Sequence, residues 1–188
     1  TYSAIIYPVF MFALTIIAFF FLSRKIFLNS LGEKQANIVG LVSAFFLSVL
    51  PIFLPRTIAG IPEKESAAFV FMFLAFYFFL CSWNADKNIF RYGFALFAGI
   101  ATMAMANIWG GYIFIFLSLA PAAFVAFILG YFNNKNKIFT YGIWLFSSFI
   151  LMYFSSIRYA FKELLISIST APSAVVFFII MIHLAIFN

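Results

Sequence analysis

The chain has 188 residues, of which 66% are hydrophobic and only 9% charged, with 31 Phe and a formal net charge of +6. A soluble domain is roughly half apolar and about a quarter charged, and one core of this size cannot hide that many phenylalanines. Lipid must therefore be the solvent, and the basic balance needs no nucleic acid, because cations facing anionic lipid account for most of it.

A bilayer-crossing helix takes about 20 predominantly apolar residues. Stretches of that kind predict about seven spans, at 2–22, 36–54, 66–83, 92–108, 111–132, 138–156 and 172–187. Helices are the natural choice because lipid offers no partner to a free backbone amide. The expected fold is an all-α polytopic membrane protein. The first span contains Pro8 and leads into a basic loop, 23–35, with Arg24, Lys25 and Lys34. The second ends among Pro51 and Pro55, and the third follows Pro62, a residue suited to the first position of a helix. Loop 84–91 carries Lys87 and Arg91, and Cys81 just before it has no second cysteine with which to form an internal disulfide. Only Trp109-Gly110-Gly111 separates the fourth span from the fifth, which predicts a tight helical hairpin, and Pro121 falls mid-span, where proline bends a helix. Loop 133–137 carries Lys135 and Lys137, and the last span is short and contains His183.

Those seven loop cations fall on alternate connections, hence on one face. The positive-inside rule assigns that face to the cytoplasm. Arg56, Lys64, Arg158 and Lys162 lie on the other face, which with Thr1 is then external or lumenal. The chain lacks an initiator Met and begins and ends in apolar sequence, so it reads as a piece of something longer. It contains no CxxC, HExxH, P-loop or GxSxG motif.

Charge is concentrated in one external stretch, LPRTIAGIPEKESAAF, residues 54–69. Glu63 and Glu65, two of five acidic residues, stand there two apart and within ten residues of Arg56. Two acids in a first helical turn complement the helix dipole, so they serve as an ordinary helix start. Equally, two hard carboxylate oxygens suit Mg²⁺ or Mn²⁺, and a guanidinium suits bidentate contact with phosphate or carboxylate. Spacing i,i+2 does not share a helix face, so both acids reach one ion only if Glu63 lies in irregular chain. Asn107, at a span end, is expected to hydrogen-bond to a neighbour, and Arg158, Lys162 and Glu163 to form a solvated interface.

The sequence RTIAGIPEKES, followed some forty residues later by NIWGGYIFIF, closely resembles the membrane domain of the oligosaccharyltransferase catalytic subunit, of the GT-C glycosyltransferase superfamily. The resemblance rests on Arg56, Thr57, Ala59 and Gly60, then Glu63-Lys64-Glu65, and on Trp109, Gly110, Gly111 and Tyr112. It covers most of residues 2–132, with YPVF and VLPIFLPR in matching places, and loosens beyond. The family usually has Asp where this chain has Glu63, one methylene longer. The resemblance implies a GT-C-like helix bundle. It implies transfer of an oligosaccharide from a polyprenyl (pyro)phosphate, a lipid-linked oligosaccharide, to the amide nitrogen of Asn in an Asn-x-Ser/Thr sequon of an acceptor polypeptide. It implies a divalent cation, Mn²⁺ or Mg²⁺, held by Glu63. Glu65 would be a second ligand or would orient Arg56, and Arg56 would brace the cluster or meet the donor phosphate. Trp109 to Tyr112 would form a structural hairpin, and accessory subunits are implied as partners beside membrane lipid. The family's first acidic loop would precede residue 1, and its soluble C-terminal domain would follow residue 188. Other lipid-linked-sugar transferases, a transporter and a non-catalytic membrane subunit are the competing readings. A transporter would want charged or polar residues near mid-membrane and broken helices in repeated positions, whereas these spans are almost purely apolar.

Overall fold

The computed structural model describes residues 2–61, 63–132, 135–156 and 158–187. Among them every regular element is helical: α1 (Tyr2–Leu31), α2 (Glu33–Ser48), α3 (Lys64–Trp83), α4 (Asn88–Ile108), α5 (Ile113–Ile128), α6 (Lys135–Ser155), α7 (Phe161–Ile166) and α8 (Ala171–Phe187). Short 3₁₀ turns occupy Leu54–Thr57 and Gly110–Tyr112. The expectations for Thr1 and for Pro62 as a helix start lie outside the described residues.

The chain is an integral membrane protein. Large apolar side chains stand exposed along the helices, among them Phe10, Phe45, Phe97 and Phe154, as they must where lipid replaces water. Among the described residues, five helical segments are long and apolar enough to cross a membrane: 2–31, 64–83, 88–108, 110–128 and 135–155. The other two expected spans are shorter, α2 with 16 residues and α8 with 17.

Several helix ends differ from the apolar runs, each for a local reason. The first helix does not stop at residue 22 but continues through Arg24 and Lys25 to Leu31, since nothing there disfavours helix. It stops at Gly32, whose φ of 79° is open to glycine at little cost. What looked like a thirteen-residue basic loop is therefore two helix ends joined at one glycine. Arg24 pins them, donating from Nη2 to Glu33 Oε1 at 2.9 Å and from Nε to Asn37 Oδ1 at 2.5 Å. Conversely α2 ends at Ser48 rather than 54, because Pro51 disfavours the helical conformation at the residue before it. Helix α5 passes through Pro121 and ends at Ile128. There the Tyr131 N–H reaches Ala126 O and the Gly130 N–H reaches Phe127 O, with Gly130 at φ 76°, a Schellman closure.

In space α1 packs against α2 and α3, α3 against α4, and α4 against α6, while α8 packs against α5 and α6. The α3–α4 seam is built from small residues, with Ala68, Ala75, Ala95 and Ala98 fully buried, which lets the backbones approach closely. Polar bonds tie the far side: Trp144 Nε1 donates to Thr102 Oγ1 at 3.2 Å, and Tyr141 OH to Ser173 O at 3.1 Å. The turn at Trp109–Tyr112 is tight, yet the expected hairpin of α4 against α5 does not form. Helix α4 sits between α3 and α6, and α5 packs chiefly against α8.

Two ends of the bundle result. One carries Arg24, Lys25, Lys34, Lys87, Arg91, Lys135 and Lys137, and two of its connections touch. Tyr92 OH donates to Asn136 Oδ1 at 3.2 Å, and Lys137 Nζ lies 5.2 Å from the centre of the Trp83 ring. The other end carries Leu54–Thr57, Glu63, the start of α3, Trp109–Tyr112 and α7.

Candidate functional site

At that second end, α3 starts at Lys64, which leaves Glu63 in extended backbone as the N-cap (φ −81°, ψ 147°). Its carboxylate makes no cap hydrogen bond. The backbone carbonyl is the anchored part, accepting from Ser66 Oγ at 2.7 Å and Ser66 N at 3.3 Å. Glu65 lies in the first turn, where the helix N-terminus favours a negative charge. Glu63 is thus in irregular chain and Glu65 in helix, the arrangement under which both carboxylates can meet at one point.

They do meet, and the group at that point is Arg56. Its Nη1 donates to Glu65 Oε1 at 2.7 Å and to Glu63 Oε2 at 3.4 Å. The 3₁₀ turn Leu54–Thr57 holds the arginine in place, with Thr57 Oγ1 donating to Leu54 O at 3.1 Å. The side chain of Glu65 is 18% exposed and that of Glu63 37%. Glu65 is therefore the arginine's close partner, and Glu63 the looser, wetter one.

The donor set suits a hard divalent cation. Mg²⁺ and similar ions are commonly held by one or two carboxylates, with waters and substrate phosphate completing the shell, but the two oxygens that converge here do so on the Arg56 guanidinium. Among the described residues no group of three or more His, Cys, Asp and Glu gathers anywhere, so a closed protein cage is not formed. With Arg56 close against Glu65, Glu63 is the carboxylate more free to take a metal.

The second motif reaches the same place. Arg56, Glu65 and Trp109 line one cavity of about 260 Å³, walled by Phe53, Phe69 and Phe73. The Trp109 ring lies 5.9 Å from that of Phe69 and 6.3 Å from that of Phe114, tilted against both, and Phe69 lies 5.4 Å from Phe53. The Gly110–Tyr112 turn is packed so tightly that a Cβ on Gly111 would stand 1.9 Å from the Trp109 ring, whereas one on Gly110 would meet nothing within 4 Å. Tyr112 lies elsewhere. It packs edge-on to Tyr159 at 5.4 Å and lines a second cavity, about 300 Å³, with Arg158 and Glu163. The motif is thus a partition with a different aromatic on each side.

Asn107 accepts from Ser155 Oγ at 3.1 Å and donates to Met103 Sδ, as its position at a helix end implies. Lys162 and Glu163 lie on α7. His183 packs edge-on to Phe127 at 5.1 Å near the far end of α8, away from the Arg56 cluster. Sequence reasoning missed the walls, Phe53 and Phe69, and the anchor Ser66. The hydroxyl three residues into EKES was a readable signal for that anchor.

The profile of the family described as "Oligosaccharyl transferase STT3, N-terminal" matches residues 3–188. The chain belongs to the STT3 family. Its similarity to individual members is modest. It is 26% identical over 106 residues to the dolichyl-diphosphooligosaccharide–protein glycosyltransferase subunit STT3 of Dictyostelium discoideum, covering 56% of this chain and 14% of that protein. Against the subunit of the same name from Saccharomyces cerevisiae it is 26% identical over 102 residues, 54% of this chain and 14% of the relative. Against subunit STT3B of Arabidopsis thaliana it is 32% identical over 82 residues, 44% and 10% respectively. The chain therefore spans 14% or less of each of these STT3 proteins.

Proposed function

We propose that the full protein transfers an oligosaccharide from a polyprenyl (pyro)phosphate to the side-chain amide of Asn in Asn-x-Ser/Thr sequons. The observation that carries this reading is the convergence of Glu63, Glu65 and Arg56 beside Trp109, which brings together the two motifs that define the resemblance. The names of the relatives, dolichyl-diphosphooligosaccharide–protein glycosyltransferase subunits, support the reaction class and a partner complex. In this reaction the bond between the sugar C1 and the phosphate oxygen breaks, a C1–N bond forms, the amide loses a proton, and the lipid (pyro)phosphate departs.

Glu63 holds Mn²⁺ or Mg²⁺ in this reading. Bound there, the cation neutralises charge on the donor phosphate and helps gather acidic groups around the amide. Glu65 fixes Arg56 through a charge-assisted bond. Arg56, 45% exposed and at the edge of the cavity, presents its remaining guanidinium donors to the departing phosphate. Trp109 and the phenylalanines give the cluster an apolar wall. This end of the bundle faces the outside or the lumen, and the end rich in lysine and arginine faces the cytoplasm.

The test uses the full-length protein in membranes with lipid-linked glycan, Mn²⁺ and a sequon peptide. Wild type forms glycopeptide, and Glu63→Gln lowers the rate by about tenfold or more, equivalent to roughly 1.4 kcal/mol of transition-state stabilisation. Equal rates would return Glu63 to a helix-start role. No glycopeptide from folded wild type would move the chain to another lipid-linked-sugar transferase or to a non-catalytic subunit.

A further inference from the structure

At the basic end of the bundle, away from the site above, a groove runs between α6 and α8. Its α6 wall is one continuous stripe, Lys135, Ile138, Phe139, Gly142, Ile143 and Phe146, and Phe177, Met181 and Leu184 of α8 close the other side. Residues 135 to 146 span about 16 Å at 1.5 Å per residue. The cavity measures about 410 Å³, and a hydrocarbon chain can lie along it.

The ends of the groove differ. Every lining residue beyond the first is apolar, and the one cation stands at the end where Lys137 and the α3–α4 turn also lie. Lys137 is engaged over Trp83 and Tyr131. Lys135 is exposed, and among the described residues it takes part in no ion pair. An apolar slot ending in an exposed ammonium, without an ion pair among the described residues, matches a lipid with a negative headgroup.

We propose that the α6–α8 groove is a binding site for one anionic phospholipid of the leaflet on the basic side, with an acyl chain along Ile138, Phe139, Ile143 and Phe177 and the headgroup phosphate at Lys135. The fit is given by charge complementarity at the mouth and by the apolar lining of the slot, and it does not depend on the transferase reading. The site faces the leaflet opposite the Glu63–Arg56 cluster, so its occupant is not the sugar donor of that cluster.

The test takes the full-length protein from nanodiscs of mixed phosphatidylcholine and phosphatidylglycerol and counts retained lipids by native mass spectrometry. Wild type retains one phosphatidylglycerol more firmly than phosphatidylcholine, a preference of about fivefold from one lysine near the surface. Lys135→Gln abolishes the preference while leaving a lipid bound, and Ile143→Trp, which fills the slot, removes the lipid. Thermal midpoints of both variants, measured alongside, identify any loss that comes from misfolding, and Phe139→Trp at the same slot then replaces a misfolded filler. Persistence of the preference in Lys135→Gln overturns the headgroup assignment. Full retention in a folded slot-filling variant, or displacement of the lipid by a polyprenyl phosphate, overturns the site.

Discussion

Replacing Gly111 with alanine probes how closely the Trp109 turn is built. The added Cβ would stand 1.9 Å from Trp109 Cζ3, 2.1 Å from Cε3 and 2.5 Å from Cη2, while carbon atoms rest at about 3.5–4.0 Å. The indole must therefore retreat by about 1.5 Å. It cannot do so freely, because it packs on Phe69 and Phe114 and borders the cavity of Arg56 and Glu65. Overpacking of this kind costs about 1–3 kcal/mol, and each disturbed aromatic pair contributes up to about 1 kcal/mol more. The expected total is about 2–4 kcal/mol. Gly110→Ala is the internal control. Its Cβ meets nothing within 4 Å and neither glycine has a positive φ, so its effect stays within about 0.5 kcal/mol. The assay is thermal unfolding of the full-length protein in detergent, followed by near-ultraviolet circular dichroism, where a loss of this size lowers the midpoint by several degrees. Repeating both substitutions in a Trp109→Ala background completes a double-mutant cycle, and there the Gly111→Ala penalty disappears. Equal costs at the two glycines, or a penalty that survives without the indole, would refute the packing argument.

The two carboxylates separate by metal dependence. If Glu63 holds the cation and Glu65 acts through Arg56, which it meets at 2.7 Å, then Glu63→Gln raises the Mn²⁺ concentration needed for half-maximal activity, whereas Glu65→Gln lowers activity without moving it. Since the pair is partly exposed, Glu65→Gln costs about 1 kcal/mol or less in stability, and a titration of activity against Mn²⁺ distinguishes the two. Within α4, Gly99→Ala places a Cβ 3.0 Å from Ser147 Cβ and 3.2 Å from the Ser148 backbone nitrogen of α6. It destabilises by about 1–3 kcal/mol, while Gly93→Ala, open on all sides, stabilises the same helix by up to about 1 kcal/mol. Thermal midpoints of the two variants should move in opposite directions.

Lipid as solvent and helices as elements were legible from composition, because an apolar chain must satisfy its backbone within each segment. Helix ends were less so. Hydropathy reports which residues tolerate lipid, whereas helix ends obey backbone rules, so Arg24 and Lys25 lie inside α1 while apolar Leu50 lies beyond α2. The partners of α5 were also hidden, since a three-residue turn fixes proximity in sequence and not which neighbour wins the packing. In the candidate site Arg56, Glu63 and Glu65 stood out by their scarcity. Phe53 and Phe69 did not, because with 31 phenylalanines no single one carries a signal. That Glu65 is nearer to Arg56 than Glu63 depends on where α3 begins, and the boundary of one residue between N-cap and first turn decides it.

Helix α2, with 16 residues, rises about 24 Å, short of the roughly 30 Å depth of a bilayer's hydrocarbon. The chain leaves the helix at Ser48 and reaches Arg56 through Leu50, Ile52 and Leu54, all exposed and all apolar. Were α2 to cross the membrane, a span this short would draw the bilayer in beside it. The arginine and its two carboxylates would then stand close to the lipid surface rather than in open water.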